Sequence, residues 1–176
     1  MAVPDATHLA SWIEANRDAL KPPVGNKLLF GEGEFQVMIV AGPNTRTDFH
    51  REPGEELFYQ LQGDITLKVI EDGTVRDVVI HEGDIFLLPA DTIHSPRRPA
   101  GTLGMVVERQ RREDEEESIT WYCDACGNQL HQFVGVITSL DTQIKPVIEQ
   151  FWADEALRTC SRCGTVAQRP APPPAS

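Results

Sequence analysis

The fold of this chain can be read from GPNTRTDFHREPGEELFYQLQG, residues 42–63, together with GDIFLLPADTIHSPRR, residues 83–98. In both segments short apolar runs end at Gly, Pro or Asp, which is typical of a small all-β barrel. We expect such a barrel to direct His50, Glu56 and His94 toward one point. Two imidazoles and one carboxylate form a facial triad, which leaves open positions on Fe(II) for a substrate and dioxygen.

The alternation of side chains along each predicted strand extends this cluster. Successive residues of a strand face opposite sides, so Arg46 shares the face of His50, and Arg98 shares that of His94. By the same rule Glu108 is a candidate inward-facing residue of the last predicted strand. A charged side chain inside a small barrel is costly unless it is paired or ligated. These residues therefore predict an active site, and the two arginines favour an acidic substrate.

The remainder of the chain divides into parts around the barrel. A helix with apolar residues on one side is predicted from Thr7 to Leu20, and an acidic run without an apolar period predicts a solvated linker. The predicted parts are an N-terminal helix and loop (1–27), the barrel (28–112), the acidic linker (113–118), a cysteine-bearing lobe (119–168) and a disordered, proline-rich tail (169–176). Whether the loop ending at Asn26 closes over the barrel mouth is left open.

Composition excludes several classes of function. A formal net charge of −11 repels phosphate backbones, so nucleic acid is not an expected partner. The apolar runs are too short to cross a bilayer, and the segment from Met1 to Leu20 lacks the basic and apolar regions of a secretory signal. We therefore expect a cytoplasmic protein without a membrane partner.

All four cysteines belong to two Cys-x-x-Cys-Gly motifs, with Cys123 and Cys126 in the first and Cys160 and Cys163 in the second. This spacing is typical of rubredoxin-like or zinc-ribbon sites, and in a cytoplasmic protein it indicates metal ligation rather than disulfides. Four thiolates suit either iron or zinc. A structural role, in which the metal stabilises a short lobe, is expected ahead of electron transfer.

The two segments quoted first resemble the motifs of the cupin family, whose fold is a double-stranded β-helix, or jelly-roll, barrel. The residues that match the two cupin motifs are His50, Glu56, Gly63, Gly83, Pro89 and His94. Glu52 stands where the first motif has a second histidine, and Arg98 replaces the final asparagine of the second motif. The loss of one histidine leaves three ligands, and three ligands in register favour a bound divalent metal.

Over nearly its whole length the chain is similar to the 3-hydroxyanthranilate 3,4-dioxygenase family of cupins. The segments that carry the likeness are KPPVGN (21–26), GPNTRTD (42–48), FYQL (58–61), EGDIFLLP (82–89), HSPRRP (94–99), ERQR (108–111) and WYCDACG (121–127). The resemblance implies an Fe(II) enzyme that converts 3-hydroxyanthranilate and dioxygen to 2-amino-3-carboxymuconate 6-semialdehyde, a precursor of quinolinate in pyridine nucleotide biosynthesis or the kynurenine pathway. Bacterial members of the family have a rubredoxin-like iron site at such cysteines, so the resemblance implies iron first and zinc second at the four cysteines of this chain.

The resemblance assigns roles to the inward-facing residues. The implied iron ligands are His50, Glu56 and His94. Arg98 and Glu108, together with Glu56, are implied substrate contacts; the Arg98 guanidinium can grip a carboxylate through two parallel hydrogen bonds, and Glu108 is expected to orient Arg98. Arg46 is implied beside dioxygen, where a cation stabilises developing negative charge. A fourth protein ligand at Glu52 would obstruct the open positions on the metal.

Two other classes of function remain in competition. One is another cupin metalloenzyme, a thiol dioxygenase or an isomerase; the other is a non-enzymatic cupin sensor. Thiol dioxygenases generally resemble three-histidine sites, so Glu56 argues against them, and a sensor is better served by an apolar or sugar-lined cavity than by Arg46 and Arg98. We also expect a homodimer, because cupin barrels often associate through sheet faces and two-fold dimers are the commonest oligomers.

Overall fold

A computed structural model describes residues 3–21, 25–137 and 140–171. The described helices are α1 (Leu9–Ala15), a 3-10 helix (Arg17–Leu20), α2 (Leu140–Ala153) and α3 (Glu155–Arg158). The described strands are β1 (Asn26–Phe30), β2 (Phe35–Ala41), β3 (Phe49–Arg51), β4 (Glu56–Gln62), β5 (Ile65–Glu71), β6 (Thr74–Ile80), β7 (Ile85–Leu88), β8 (His94–Arg97), β9 (Leu103–Arg109), β10 (Glu117–Tyr122) and β11 (Gln129–Gly135). Within these ranges no helix combines the length and the apolar character needed to cross a bilayer.

The strands form two antiparallel sheets that pack against each other. One sheet has the order β1-β2-β9-β4-β7 and the other the order β11-β10-β3-β8-β5-β6. Buried and more exposed residues alternate along β4, β5 and β9, as expected for strands with one face in a core. The core between the sheets consists of Met38, Phe58, Ile65, Leu67, Val69, Ile80, Leu88 and Val106. The predicted all-β barrel is confirmed.

The N-terminal helix is shorter than the predicted one. Its N-cap is His8, whose Nδ1 accepts a hydrogen bond from the backbone N–H of Ser11 at 3.3 Å, so the helix begins at Leu9 and not at the predicted Thr7. The helix ends because the Asn16 side chain donates to the Trp12 carbonyl oxygen at 2.7 Å, and a separate 3-10 helix follows. Leu20, at the end of that second helix, is buried, and the 3-10 helix packs on β1 and β2.

The loop predicted after these helices falls only partly within the described residues. Residues 22–24 lie outside them, so closure of the loop over the barrel mouth stays a prediction. Asn26 lies in β1, opposite Val40 of β2. The first strand therefore begins two residues before the predicted boundary at Leu28.

The acidic run expected to be a solvated linker ends inside a buried strand. Glu117 is 1% exposed and begins β10, which pairs with β3 on one side and with β11 on the other. Ser118 lies opposite Arg51, so the strand joins the barrel sheet directly. Pairing with β3 buries these residues, and a local charge pattern gives no indication of such a long-range partner.

The C-terminal lobe has its own apolar core, to which β10 contributes two residues. This core comprises Ile119, Trp121, Ile137, Ile144 and Phe151, and the rings of Trp121 and Phe151 stack with centroids 4.2 Å apart. Arg169 forms a two-pronged ion pair with Glu149, at 2.6 and 2.9 Å, so the first residue of the predicted tail is anchored. Residues 172–176 of that tail lie outside the described residues.

Candidate metal centre

Three strands bring His50, Glu56 and His94 together inside the barrel. His50 and His94 are direct partners in the β3–β8 pair, which places their side chains on the same sheet face. Glu56, at the start of β4, approaches from the other sheet. One potential ligand atom from each residue lies within 4.8 Å of the others, as the sequence predicted.

His94 and Glu56 are oriented toward each other in a buried environment. The Nδ1–H of His94 donates to the Thr92 carbonyl oxygen at 3.0 Å, so its Nε2 faces the site, 3.0 Å from Glu56 Oε1. Burial alone would lower the pKa of His94, but the Glu56 carboxylate outweighs it and raises that pKa. Burial would raise the pKa of Glu56, and the imidazoles hold it below its usual range. Glu56 Oε1 is buried, and its contact with His94 Nε2 lacks the geometry of a hydrogen bond, so a cation bound between the two side chains would satisfy this oxygen.

His50 contacts an acidic residue that the sequence did not indicate. Its Nε2 lies 2.6 Å from Glu117 Oε2, across the β3–β10 pair. Burial lowers the pKa of His50, although Glu117 opposes this shift. A neutral imidazole held by a carboxylate is the usual state of a histidine that binds a metal.

Arg111 lies at the centre of a buried group of acidic residues. Its Nη1 donates to Glu108 Oε1 at 2.7 Å, its Nη2 to Glu52 Oε2 at 2.9 Å, and its Nε to Glu117. Burial, reinforced by the charges of Glu56 and Glu108, raises the pKa of Glu52 to about 10. Burial also raises the pKa of Glu108, against the attraction of Arg111. Neither Arg111 nor Glu117 was predicted as a site residue, because both stand in charged runs.

Arg98 is buried beside the centre without a carboxylate partner. It is 4% exposed, its Nη1 lies 3.5 Å from Gln60 Oε1, and it forms no ion pair within the part of the chain that the structure describes. Burial lowers its pKa to about 10, although Glu56 opposes the shift. Among the described residues no hydrogen bond joins Glu108 to Arg98, and Glu108 Oε1 instead accepts from Arg111, so an orienting role of Glu108 toward Arg98 stays a prediction.

Two neighbours shape the space around Arg98. A Cβ built on Gly104 would lie 2.9 Å from Arg98 Nη1, so any side chain there would displace the guanidinium from its present position. Arg46, paired with the buried Asp48 through Nε at 3.1 Å, keeps 42% of its side chain exposed. Arg46 and Arg98 line one cavity of about 310 Å³, to which Pro170 also contributes.

The four cysteines form a second cluster outside the barrel. Their sulfur atoms all lie within 4.8 Å of one another, with Cys123 and Cys163 at 3.6 Å and Cys126 and Cys160 at 3.6 Å, and none is in a disulfide. The glycine after each pair, Gly127 and Gly164, has a positive φ and donates its N–H to the first cysteine of its pair. Four thiol groups in this arrangement match a tetrahedral metal site.

Two facing antiparallel sheets with histidines and a glutamate at a common interior point define a metal-binding cupin. A solved cupin-2 domain protein from Shewanella frigidimarina is 12% identical, with a TM-score of 0.46 over 55% of this chain and 91% of that chain. The chain belongs to the 3-hydroxyanthranilic acid dioxygenase family, whose model matches residues 1–152. The resemblance found in the sequence is thereby confirmed.

Curated relatives of the family are similar over nearly their whole length. A 3-hydroxyanthranilate 3,4-dioxygenase of Xanthomonas campestris pv. campestris (strain 8004) is 47% identical over 165 residues, which cover 94% of this chain and 92% of the relative. One from Jannaschia sp. (strain CCS1) is 45% identical over 174 residues, which cover 98% of this chain and 97% of the relative. The likeness therefore includes both the barrel and the cysteine lobe.

Proposed function

We propose that this chain is an Fe(II)-dependent ring-cleaving dioxygenase that converts 3-hydroxyanthranilate and dioxygen to 2-amino-3-carboxymuconate 6-semialdehyde. The observation that carries the proposal is Arg98, a buried cation without an ion pair among the described residues, next to the His50–Glu56–His94 cluster. A buried charge requires a counter-charge, and the carboxylate of the substrate supplies one. The dioxygenase family of the chain agrees with this substrate class.

The residues at the centre fit a divalent iron ion. Two imidazoles and a carboxylate are the donor set of non-haem Fe(II) oxygenases. The buried Glu56 Oε1 makes no well-formed hydrogen bond, and a bound cation would satisfy it. His50, Glu56 and His94 would hold the ion. Iron supplies the redox-active centre that ground-state dioxygen needs in order to react with a closed-shell aromatic ring.

The side chains around the centre have distinct proposed tasks. Arg98, with two parallel N–H groups, binds the substrate carboxylate and so fixes the orientation of the ring. Glu108 and Glu56 complete the set of substrate contacts. Arg46, whose charge acts on both Glu56 and His94, stabilises negative charge that develops on dioxygen. These tasks divide binding from turnover and can be separated by kinetics.

The direct test is an anaerobic reconstitution. Metal-free protein is loaded with Fe(II), 3-hydroxyanthranilate is added, and air is admitted while the near-ultraviolet absorbance of the semialdehyde and the uptake of oxygen are followed. We expect one dioxygen consumed for each product formed, and no product from protein loaded with Zn²⁺. An iron-loaded sample that consumes no oxygen would favour the sensor, and oxygen uptake only with a thiol would favour a thiol dioxygenase.

For the cysteine cluster we propose iron, with zinc as the alternative, in a structural role. Ring cleavage with insertion of both oxygen atoms takes all four electrons for the reduction of dioxygen from the substrate itself, so it needs no external donor. The visible absorption spectrum of protein purified without added metal distinguishes the two ions. A four-thiolate iron site absorbs visible light, and a four-thiolate zinc site does not. We place the protein in the cytoplasm, where thiols that bind metal stay reduced.

We also propose that the chain forms a homodimer through the outer face of the β1-β2-β9-β4-β7 sheet. Ile85 and Leu87 on the edge strand β7 are 69% and 52% exposed, and they lie opposite Tyr59 and Leu57 of β4. A contiguous apolar sheet face is typical of an interface. Sedimentation analysis should give a dimer that Leu87→Lys dissociates, while Val134→Lys on β11 leaves the mass unchanged.

A further inference from the structure

Arg111 makes three directional contacts from a nearly buried position. Its side chain is 10% exposed, and its Nη2, Nη1 and Nε donate to Glu52, Glu108 and Glu117 respectively. A guanidinium presents its N–H groups in a fixed plane, which lets one side chain hold three carboxyl groups in three directions. The arrangement fixes where each of these carboxyl groups lies.

The carboxyl group of Glu52 is near enough to the centre to compete as a ligand. A carboxyl oxygen of Glu52 lies within 4.8 Å of potential ligand atoms of Glu56 and Glu108. A carboxyl oxygen of Glu52 also lies within 4.8 Å of potential ligand atoms of His50 and Glu117. It therefore lies near two of the three proposed ligands. Carboxylate oxygen binds hard divalent cations readily. Glu108 forms such a cluster only with acidic side chains among the described residues, and so is the weaker competitor.

We propose that Arg111 is a positioning residue that holds the Glu52 carboxyl group away from the metal, so that only three protein ligands bind it. This inference rests on the metal centre proposed above. A site with a fourth protein ligand would have one position fewer for substrate and dioxygen. Arg111 would thus preserve the open positions without touching the metal, the substrate or the dioxygen.

The number of water molecules on bound Mn²⁺ tests the inference without an activity measurement. Mn²⁺ is six-coordinate and prefers oxygen and nitrogen ligands to thiolates, so it should bind at the barrel site and not at the cysteines. The number of water molecules bound to the ion is measured from the relaxation rate of solvent protons. We expect Arg111→Met to lower the relaxivity of each bound ion by about one third, since a six-coordinate ion would go from about three waters to two. We expect Arg111→Met/Glu52→Gln to restore the wild-type value.

Matched variants separate this role from a structural one. Arg111→Met/Glu108→Gln should keep the lowered relaxivity, and Glu52→Gln alone should match the wild type. Relaxivity is calculated per bound ion, so a loss of affinity or of stability does not change it. Wild-type relaxivity in Arg111→Met, or restoration by Glu108→Gln instead of Glu52→Gln, would overturn the inference.

Two further measurements keep the test decisive. If Arg111→Met does not fold, Arg111→Gln takes its place, because a neutral amide cannot hold three carboxyl groups; an unchanged water count there would also overturn the inference. His94→Ala checks the site itself. If the wild type binds no Mn²⁺ that His94→Ala removes, the proposed metal centre is wrong and the inference fails with it.

Discussion

Glu117 contacts His50 across two antiparallel strands, with 2.6 Å between Glu117 Oε2 and His50 Nε2. Ile119 lies directly opposite His50 in the register, so Glu117 is the diagonal neighbour on the same face. The other oxygen of Glu117 accepts a hydrogen bond from Arg111. The ring of His50 is therefore held in orientation by a carboxylate that is itself held.

Glu117→Gln should weaken metal binding. The amide keeps the shape of the side chain but loses the charge that orients His50, and loss of such a partner typically costs on the order of 10-fold in metal affinity. Anaerobic titration of Co²⁺ against a competing chelator measures the effect, with the exposed Glu116→Gln as the control. Tighter binding in Glu117→Gln would mean instead that Glu117 competes with the metal for Nε2.

Arg98→Ala and Arg46→Ala should affect different kinetic parameters. Loss of the Arg98 contact with the substrate carboxylate should raise KM on the order of 10- to 100-fold, the value of one or two charge-assisted hydrogen bonds, and lower kcat less. Arg46→Ala should mainly lower kcat, on the order of 100-fold. Steady-state oxygen uptake measures both, with the exposed Arg112→Ala as the control. Equal changes in both parameters for both variants would contradict this division.

Gly104→Ala should impair substrate binding from outside the cavity. The new Cβ would lie 2.8 Å from Gln60 Oε1 and 2.9 Å from Arg98 Nη1, so the guanidinium must shift. We expect KM to rise on the order of 10-fold, because small displacements of a positioning group are costly, while metal content stays that of the wild type. Gly33→Ala, where the added Cβ meets nothing within 4 Å, is the matched control.

Replacement of Cys160 and Cys163 by Ser should lower stability and leave the chemistry intact. The lobe loses the metal that stabilises it, and we expect Tm to fall by more than ~10 °C. The value of kcat for the protein that remains folded should equal that of the wild type. A large loss of kcat in folded, iron-loaded protein would show that the cysteine cluster takes part in turnover.

Metal affinity should weaken as pH falls. The pKa of His94 is raised above 6.5 by Glu56, and its proton must leave before the imidazole binds a metal. Titrations with Co²⁺ should therefore show affinity that declines progressively below that raised pKa. The folding stability of the metal-free protein should change with pH in the opposite direction to its metal affinity. The protonated His94–Glu56 pair stabilises the fold below pH 6.5, and this contribution is lost as pH rises through the raised pKa of His94. Urea unfolding of metal-free wild type and His94→Gln checks the second trend.

The period-two pattern and the two short motifs sufficed to predict the barrel and the convergence of His50, Glu56 and His94. These features are local, since each strand carries its own alternation and each motif its own spacing. The roles of the inward-facing residues remain predictions. Gly104 was not predicted because its importance comes from the approach of Arg98, which directly follows a different strand, β8.

The network of Arg111 was missed for a different physical reason. Charged runs in a sequence usually indicate solvated segments, and here Arg111 and Glu117 flank just such a run. Their burial depends on the pairing of β10 with β3, which connects residues far apart along the chain. An arginine following a strand that ends next to a metal centre, with acidic residues a few positions later, is the signal that would have identified them.

Strand β10 belongs to both halves of the molecule. It starts with Glu117, which touches His50, and it ends one residue before Cys123. A truncated chain that ended at the charged run would lose the neighbour of β3 and leave that strand edge open to other molecules. Any trimmed version of the barrel would thus need a replacement strand along that edge of β3.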